Sequence, residues 1–165
     1  MNNQYSEIPS NQKIYFASDF HLGNNSYTHT RQREKKIVRW LNSISEDAYA
    51  LFLVGDVFDF WFEYAQTVPK GYVRLLGKLA ELAERGVHII LFSGNHDIWL
   101  QDYLSKEIGA VIIKHPTSFT LGGAPFYIAH GDGLGPGDHK FKFFKKIFTI
   151  CIGGSRCTCE SRCNF

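Results

Sequence analysis

An α/β fold, in which strands of one sheet alternate with helices, is what this sequence predicts, and three observations carry the prediction. Short apolar runs rich in β-branched and aromatic residues alternate with longer segments whose apolar residues recur at helical spacing. Four of the short runs stop abruptly at residues with metal-ligand chemistry. The last two runs are separated by Gly122-Gly123, which supplies the positive φ angles of a tight hairpin turn.

The elements follow in order. A first strand runs from Lys13 to Ser18, after a polar start over Asn2 to Asn11 that reads as frayed. Arg31 to Ile44 places Ile37, Trp40, Leu41 and Ile44 on one side and Gln32, Lys35, Lys36 and Arg39 toward water, the pattern of a crossover helix. Leu51 to Gly55 is a buried strand. Tyr72 to Arg85 repeats the helical pattern with Val73, Leu75, Leu76, Leu79 and Leu82 and ends at Gly86, a helix stop signal. Val87 to Gly94 is the third strand, Ile98 to Ile108 a short third helix, and Ala110 to Ile113 a β-branched strand. Ser118 to Leu121 and Pro125 to Ala129 then form the hairpin.

Composition bounds the rest. With 165 residues and 44% hydrophobic content the chain suits one globular domain with a real core. Eighteen basic and sixteen acidic residues leave a formal charge of +2, too small for a strong overall field. No signal-like or membrane-spanning stretch is apparent, so the expected location is cytoplasmic. Cys151, Cys157, Cys159 and Cys163 all fall in the last fifteen residues, and their C-x5-C-x-C-x3-C spacing does not match paired C-x-x-C zinc knuckles. That tail, over 149–165, lacks apolar periodicity and reads as aberrant or disordered sequence, the expectation being a change of reading frame near Phe148.

The chemistry sits where strands end. In a sheet flanked by helices, ligands gather outside one end of the strands, so the four endings can converge. Asp19 and His21, two apart after the first strand, lean the same way because alternate residues of an extended chain share a face. Asp56 follows Gly55, where glycine permits a sharp turn and the carboxylate can offer one oxygen to each of two ions. Asn95, His96 and Asp97 follow the third strand, and His130 follows the hairpin. Any one of these alone is an ordinary turn; the four together point to a site for divalent ions bound through oxygen and imidazole, suited to Mn, Fe or Zn.

The ordered set D-x-H, G-D-x-x-D, G-N-H-D and a later His with small neighbours resembles the calcineurin-like metallophosphoesterases, over about Lys13 to Asp132. The resemblance implies a layered α/β/β/α sandwich and two divalent metal ions, with Asp19 and His21 on the first, Asp56 bridging, and Asn95 and His130 on the second. It makes His96 a catalytic contact to the phosphate and implies hydrolysis by a hydroxide that bridges the ions. The family's final G-H-x-H does not occur after His130, so each ligand set as written is one histidine short and the sandwich is expected to be C-terminally incomplete.

Within that family, Asp56 to Tyr64 is similar to the enzymes that cleave the pyrophosphate of UDP-2,3-diacylglucosamine in lipid A synthesis. The similarity implies a UDP-linked acylated glucosamine as partner, and the dense aromatics Phe60, Trp61 and Phe62 beside the site suit either an acyl-chain groove or core packing under the loop. Asp138 to Phe148 puts Phe141, Phe144, Ile147 and Phe148 on one helical side and Lys142, Lys145 and Lys146 on the other, the pattern of a helix at a lipid interface or of a buried helix with a solvated lysine face. The similarity implies that this stretch opens a lid in which Phe141 and Phe144 touch substrate, with peripheral contact to the inner membrane. The expected organisation is a phosphoesterase domain over 1–148, with the start of the lid helix at about 138–148, followed by the tail. Nucleic acid is not an expected partner, because the lysines cluster with phenylalanines instead of forming a basic groove.

Overall fold

The computed structural model describes residues 5–24 and 26–132. Among these residues nine elements run in the order β1 (Lys13–Ala17), α1 (Tyr27–Ile44), β2 (Ala48–Val54), α2 (Val73–Glu84), β3 (His88–Phe92), α3 (Tyr103–Ile108), β4 (Val111–Ile113), β5 (Thr117–Leu121) and β6 (Ala124–Ile128). The first four strands form one parallel sheet in the order β1-β2-β3-β4, and β5 and β6 pair as an antiparallel hairpin. Each crossover advances the sheet in the same direction, and right-handed crossovers that all advance one way deposit their helices on one face.

Alternation along the central strands divides the apolar residues between two cores. Leu51, Leu53, Ile89 and Leu91 face the helices, where Ile37, Leu41 and Ile44 of α1 and Leu75, Leu79 and Leu82 of α2 cover them. Ala50, Phe52, Ile90 and Phe92 point the other way, against Phe119, Leu121 and Ile128 of the hairpin. Three of the four expected layers, α/β/β, therefore lie among the described residues. The stretches at 138–148 and 149–165, with Phe141, Phe144 and the four cysteines, fall outside them.

Three local expectations are corrected. The segment from Tyr5 to Asn11 is not frayed: Tyr5 is buried in the hairpin-side core, and its carbonyl accepts a bond from the Gly122 amide at 3.0 Å. Helix α1 starts a turn earlier than Arg31, because Ser26 adopts extended backbone and its side chain accepts from the His29 amide, a standard N-cap. Helix α3 starts at Tyr103, not Ile98. The Glu63 carboxylate accepts from the Asp102 and Tyr103 amides at 2.9 and 3.0 Å, while Trp99 pairs as a parallel bridge with Phe62. Gly122 and Gly123, at φ 55° and 82°, form the turn their sequence demands.

Candidate metal centre

Register brings the four strand ends to one place. Ala17 lies beside Leu53 and Val54 beside Phe92, so the chain leaves β1, β2 and β3 at nearly the same level. The loop after β1 then runs along the loop after β2: the amides of Asp19, His21 and Leu22 bond to the carbonyls of Gly55, Asp56 and Val57 at 3.2, 2.9 and 3.1 Å. These loops are conformationally costly. Asp19, His21 and Asp56 have φ of 57°, 43° and 52°, a region that costs a non-glycine residue on the order of 1–3 kcal/mol and that recurs at functional sites.

Two glycines are dictated by close approach. A Cβ on Gly55 would lie 2.5 Å from His130 Nδ1, and one on Gly94 would collide with the Asp56 carboxylate and amide. Only glycine lets the loop after β3 and the imidazole after β6 press this near to Asp56.

Asp56 is the hub. Its Oδ1 accepts from the His96 amide at 3.0 Å, and its Oδ2 lies 3.3 Å from His130 Nε2 and 3.8 Å from His21 Nε2. His130 is oriented from behind, because Nδ1 lies 2.9 Å from the Val54 carbonyl, which can only accept. That contact places the proton on Nδ1 of the neutral ring and leaves the Nε2 lone pair facing Asp56 and Asn95 Oδ1, the latter at 3.3 Å. His96 repeats the device: its Nδ1 is 3.0 Å from the Asp59 carbonyl. Asp19 Oδ1 lies 3.8 Å from His21 Nε2.

The donors group into two overlapping sets, Asp19 with Asp56 and His130, and His21 with Asp56 and His96, each offering ligand atoms within 4.8 Å of one another. Sharing of Asp56 between both sets, with donors limited to carboxylate, amide oxygen and imidazole, fits divalent ions of the Mn, Fe or Zn type. The buried Nδ1 of His21 makes no hydrogen bond, although Asp59 Oδ1 lies 3.4 Å away. The grouping differs from the family resemblance in two respects: Asp19 groups with His130, where the resemblance pairs it with His21, and His96 groups with His21 and Asp56, where the resemblance gives it to the phosphate.

Charge within the cluster is set by these neighbours. The Asp56 hydrogen bond raises the His130 pKa to about 9 against the opposing effect of burial, with the Val54 carbonyl adding to the rise. Burial pushes the Asp56 carboxyl up, but bonds from His130 and the His96 amide outweigh it and hold the group below its ordinary value. Without metal the two form an ion pair, so an ion that takes the His130 lone pair displaces a proton.

Two residues carry roles that the motif reading did not assign. Asp97 is fully buried: Oδ1 accepts from the Gly94 amide at 2.7 Å, and Oδ2 from the Val57 and Phe58 amides at 2.9 and 3.4 Å. It fastens the loop after β3 to the loop after β2. An Asp three residues past a strand-ending Gly is a turn signal, though the long-range amides are invisible in sequence. Asp59 lies 3.4 and 3.5 Å from the Nδ1 atoms of His21 and His96, and its signal was the second Asp of Gly55-Asp56-Val57-Phe58-Asp59.

The aromatic segment divides. Trp61 does not line a groove: it has no exposed surface, packs on Phe58 with ring centres 4.3 Å apart, and donates Nε1 to Glu63 at 3.0 Å. Burying such a ring stabilises the fold by about 1.5–3 kcal/mol, and core packing is its role. Phe60 is 54% exposed, and Phe60 and half-buried Phe62 flank Trp99 at 5.6 and 6.1 Å, forming an accessible cluster three residues beyond His96.

The sequence profile of the calcineurin-like phosphoesterases matches residues 12–154. The chain belongs to this family. Among curated relatives of this chain, the UDP-2,3-diacylglucosamine hydrolase of Porphyromonas gingivalis is 48% identical over 120 residues, 73% of this chain and 46% of the relative. Proteins of the same name from Hahella chejuensis and Nitrosococcus oceani are 33% and 30% identical, over 72% and 73% of this chain and 47% and 46% of their own lengths. The chain thus spans about half the length of the curated relatives it matches. No helix among the described residues is long and apolar enough to cross a membrane.

Proposed function

We propose that the chain carries the metal-binding half-site of a hydrolase that cleaves the pyrophosphate of UDP-2,3-diacylglucosamine to UMP and the acylated sugar phosphate, lipid X. The observation that carries this reading is the sharing of Asp56 between two donor sets built from four strand ends. Asp19, His21, Asp56, Asn95 and His130 would hold two divalent ions, of which manganese is the preferred identity. Bound ions of this kind supply Lewis-acid stabilisation of phosphoryl charge and a water acidified toward neutral pH.

The chain's own residues supply orientation. Val54 and Asp59 fix the tautomers of His130 and His96 through their carbonyls, and Asp97 holds the amides of the two loops that carry Asp56 and Asn95. His96, with Nδ1 held, has Nε2 free to donate to a phosphoryl or leaving oxygen when protonated, the catalytic part assigned to it here. Phe60, Phe62 and Trp99 offer the apolar surface an acyl chain requires, whereas Trp61 is packed in the core on Phe58. The substrate in the relatives' names and the 48% identity support the lipid-linked nucleotide over a generic phosphoester. The reading includes a cytoplasmic location with peripheral contact at the inner membrane, where an acylated substrate resides.

The test is hydrolysis of UDP-2,3-diacylglucosamine and of a simple aryl phosphodiester in the presence of Mn²⁺, alongside metal analysis. Preferred cleavage of the lipid-linked nucleotide supports the assignment. Preference for the aryl diester removes the lipid assignment, and metal uptake without turnover of either substrate removes the enzymatic one.

A further inference from the structure

We propose that the cavity between the first turns of α1 and α2 is a nucleoside subsite that receives the UMP half of the substrate. The inference rests on the hydrolase reading above and adds to it the place where the nucleotide lies. The cavity holds about 230 Å³ and is lined in part by Gly23, Tyr27, Arg31, Glu34, Lys70 and Tyr72. That is below the ~300–1,000 Å³ typical of a pocket for an entire drug-sized ligand, so it suits a ring and its attached sugar, not a whole acylated dinucleotide.

Position ties it to the metal centre. Gly23 is two residues past His21, and a Cβ there would lie 2.5 Å from the Tyr72 hydroxyl and 3.8 Å from Cβ of Asp59. Asp59 in turn approaches both His21 and His96. A ligand in the cavity is therefore one residue layer from the cluster that would engage the pyrophosphate.

Lining chemistry selects the nucleotide half. Tyr27 is 74% exposed, and the Arg31 guanidinium lies 5.6 Å from its ring centre, giving a planar aromatic face and a planar cation on one wall. Planar bases stack on such faces whatever their sequence, and cationic groups favour the phosphate. Neither Arg31 nor Lys70 forms an ion pair with a described residue, so both charges are available. The one acidic lining group, Glu34, is already committed: its Oε1 accepts from the Arg74 and Leu75 amides at 2.9 and 3.2 Å, and Oε2 lies 3.9 Å from the Arg74 guanidinium. A substrate with a nucleotide on one side of its pyrophosphate and acyl chains on the other needs two unlike surfaces beside one centre. The Phe60-Trp99-Phe62 cluster is apolar; this cavity is aromatic and cationic.

Calorimetric titration of the whole chain with UMP and with inorganic phosphate, each with and without Mn²⁺, tests the assignment. UMP should bind more tightly than phosphate, and Tyr27→Ala and Arg31→Ala should each weaken UMP by about tenfold, the size of one stacking interaction. Tyr27→Phe, which keeps the ring, should retain the affinity, and thermal melts should show all variants folded. UMP affinity unchanged in both alanine variants overturns the subsite, as does wild-type binding of UMP no tighter than phosphate. Turnover is read separately: UMP binding that depends on Tyr27 in a chain that hydrolyses nothing would sink the hydrolase reading and leave the subsite standing.

Discussion

The loops after β2 and β3 each contribute one buried aspartate to the other, and the two aspartates do opposite things. Asp56 is 3% exposed and Asp97 is 0% exposed, and each accepts from backbone amides of the opposite loop. Asp97 spends both oxygens on three amides and meets no side-chain donor among its hydrogen bonds. Asp56 spends one oxygen on an amide and turns the other to the imidazoles of His130 and His21. Their acidities diverge accordingly: burial lifts the Asp97 carboxyl, with the Gly94 and Phe58 amides pulling back only in part, whereas Asp56 is held low. Burial alone does not distinguish a structural carboxylate from a working one; what faces its second oxygen does.

Removing each aspartate should therefore break a different property. Asp56→Asn should lower metal-dependent turnover by about a thousandfold or more, because the several kcal/mol of charge stabilisation supplied by bound ions goes with them. Metal content by elemental analysis should fall with it, and a wild-type metal content would erase the contrast. Asp97→Asn should instead cost about 2–4 kcal/mol of folding stability, since either amide orientation turns an NH₂ toward an N–H donor and strands buried amides. Chemical denaturation measures it, and a wild-type midpoint would show that the brace is dispensable.

A smaller effect sharpens the assignment of the histidine between the two aspartates. His96→Gln should reduce kcat by about a hundredfold, the scale of one general acid, while metal content by elemental analysis stays at the wild-type stoichiometry. Loss of an ion in this variant would move His96 from the phosphate to the metal.

The smallest effect is on pH. In the metal-free protein His130 has a folded pKa of about 9 against an ordinary 6.5, so its contribution to stability is complete below about 6.5 and disappears as pH rises through 9. Asp56, lowered from 3.8, contributes above that value and loses its contribution as pH falls through its folded pKa. Chelated protein should thus lose stability between pH 7 and 10 in urea titrations, a loss absent in Asp56→Asn. Metal affinity should rise over the same interval as the competing proton leaves.

Much of this was legible in the chain because strand ends are local events. Asp19, His21, Asp56, Asn95 and His130 each follow an apolar run whose direction is set by its own pattern, and parallel pairing in register does the rest. Helix starts were harder. Tyr72, at the head of α2, sits at φ 58° and makes no side-chain cap; Glu34, from the middle of α1, bonds the first amides in its place. Glu63 does the same for α3, which is why Ile98 to Asp102 could not be separated from that helix by local signals. The aromatic run could not be divided either, since Phe60, Trp61 and Phe62 look alike until the fold turns one ring inward and leaves another at the surface.

His130 arrives from the hairpin layer and the other three strand ends from the parallel sheet, so the site spans a seam between two sheets. A two-stranded ribbon has little independent stability. An ion gripped at once by Asp56 and His130 would rivet that ribbon to its neighbour, and loading of the centre would double as a late assembly checkpoint that locks the layers together.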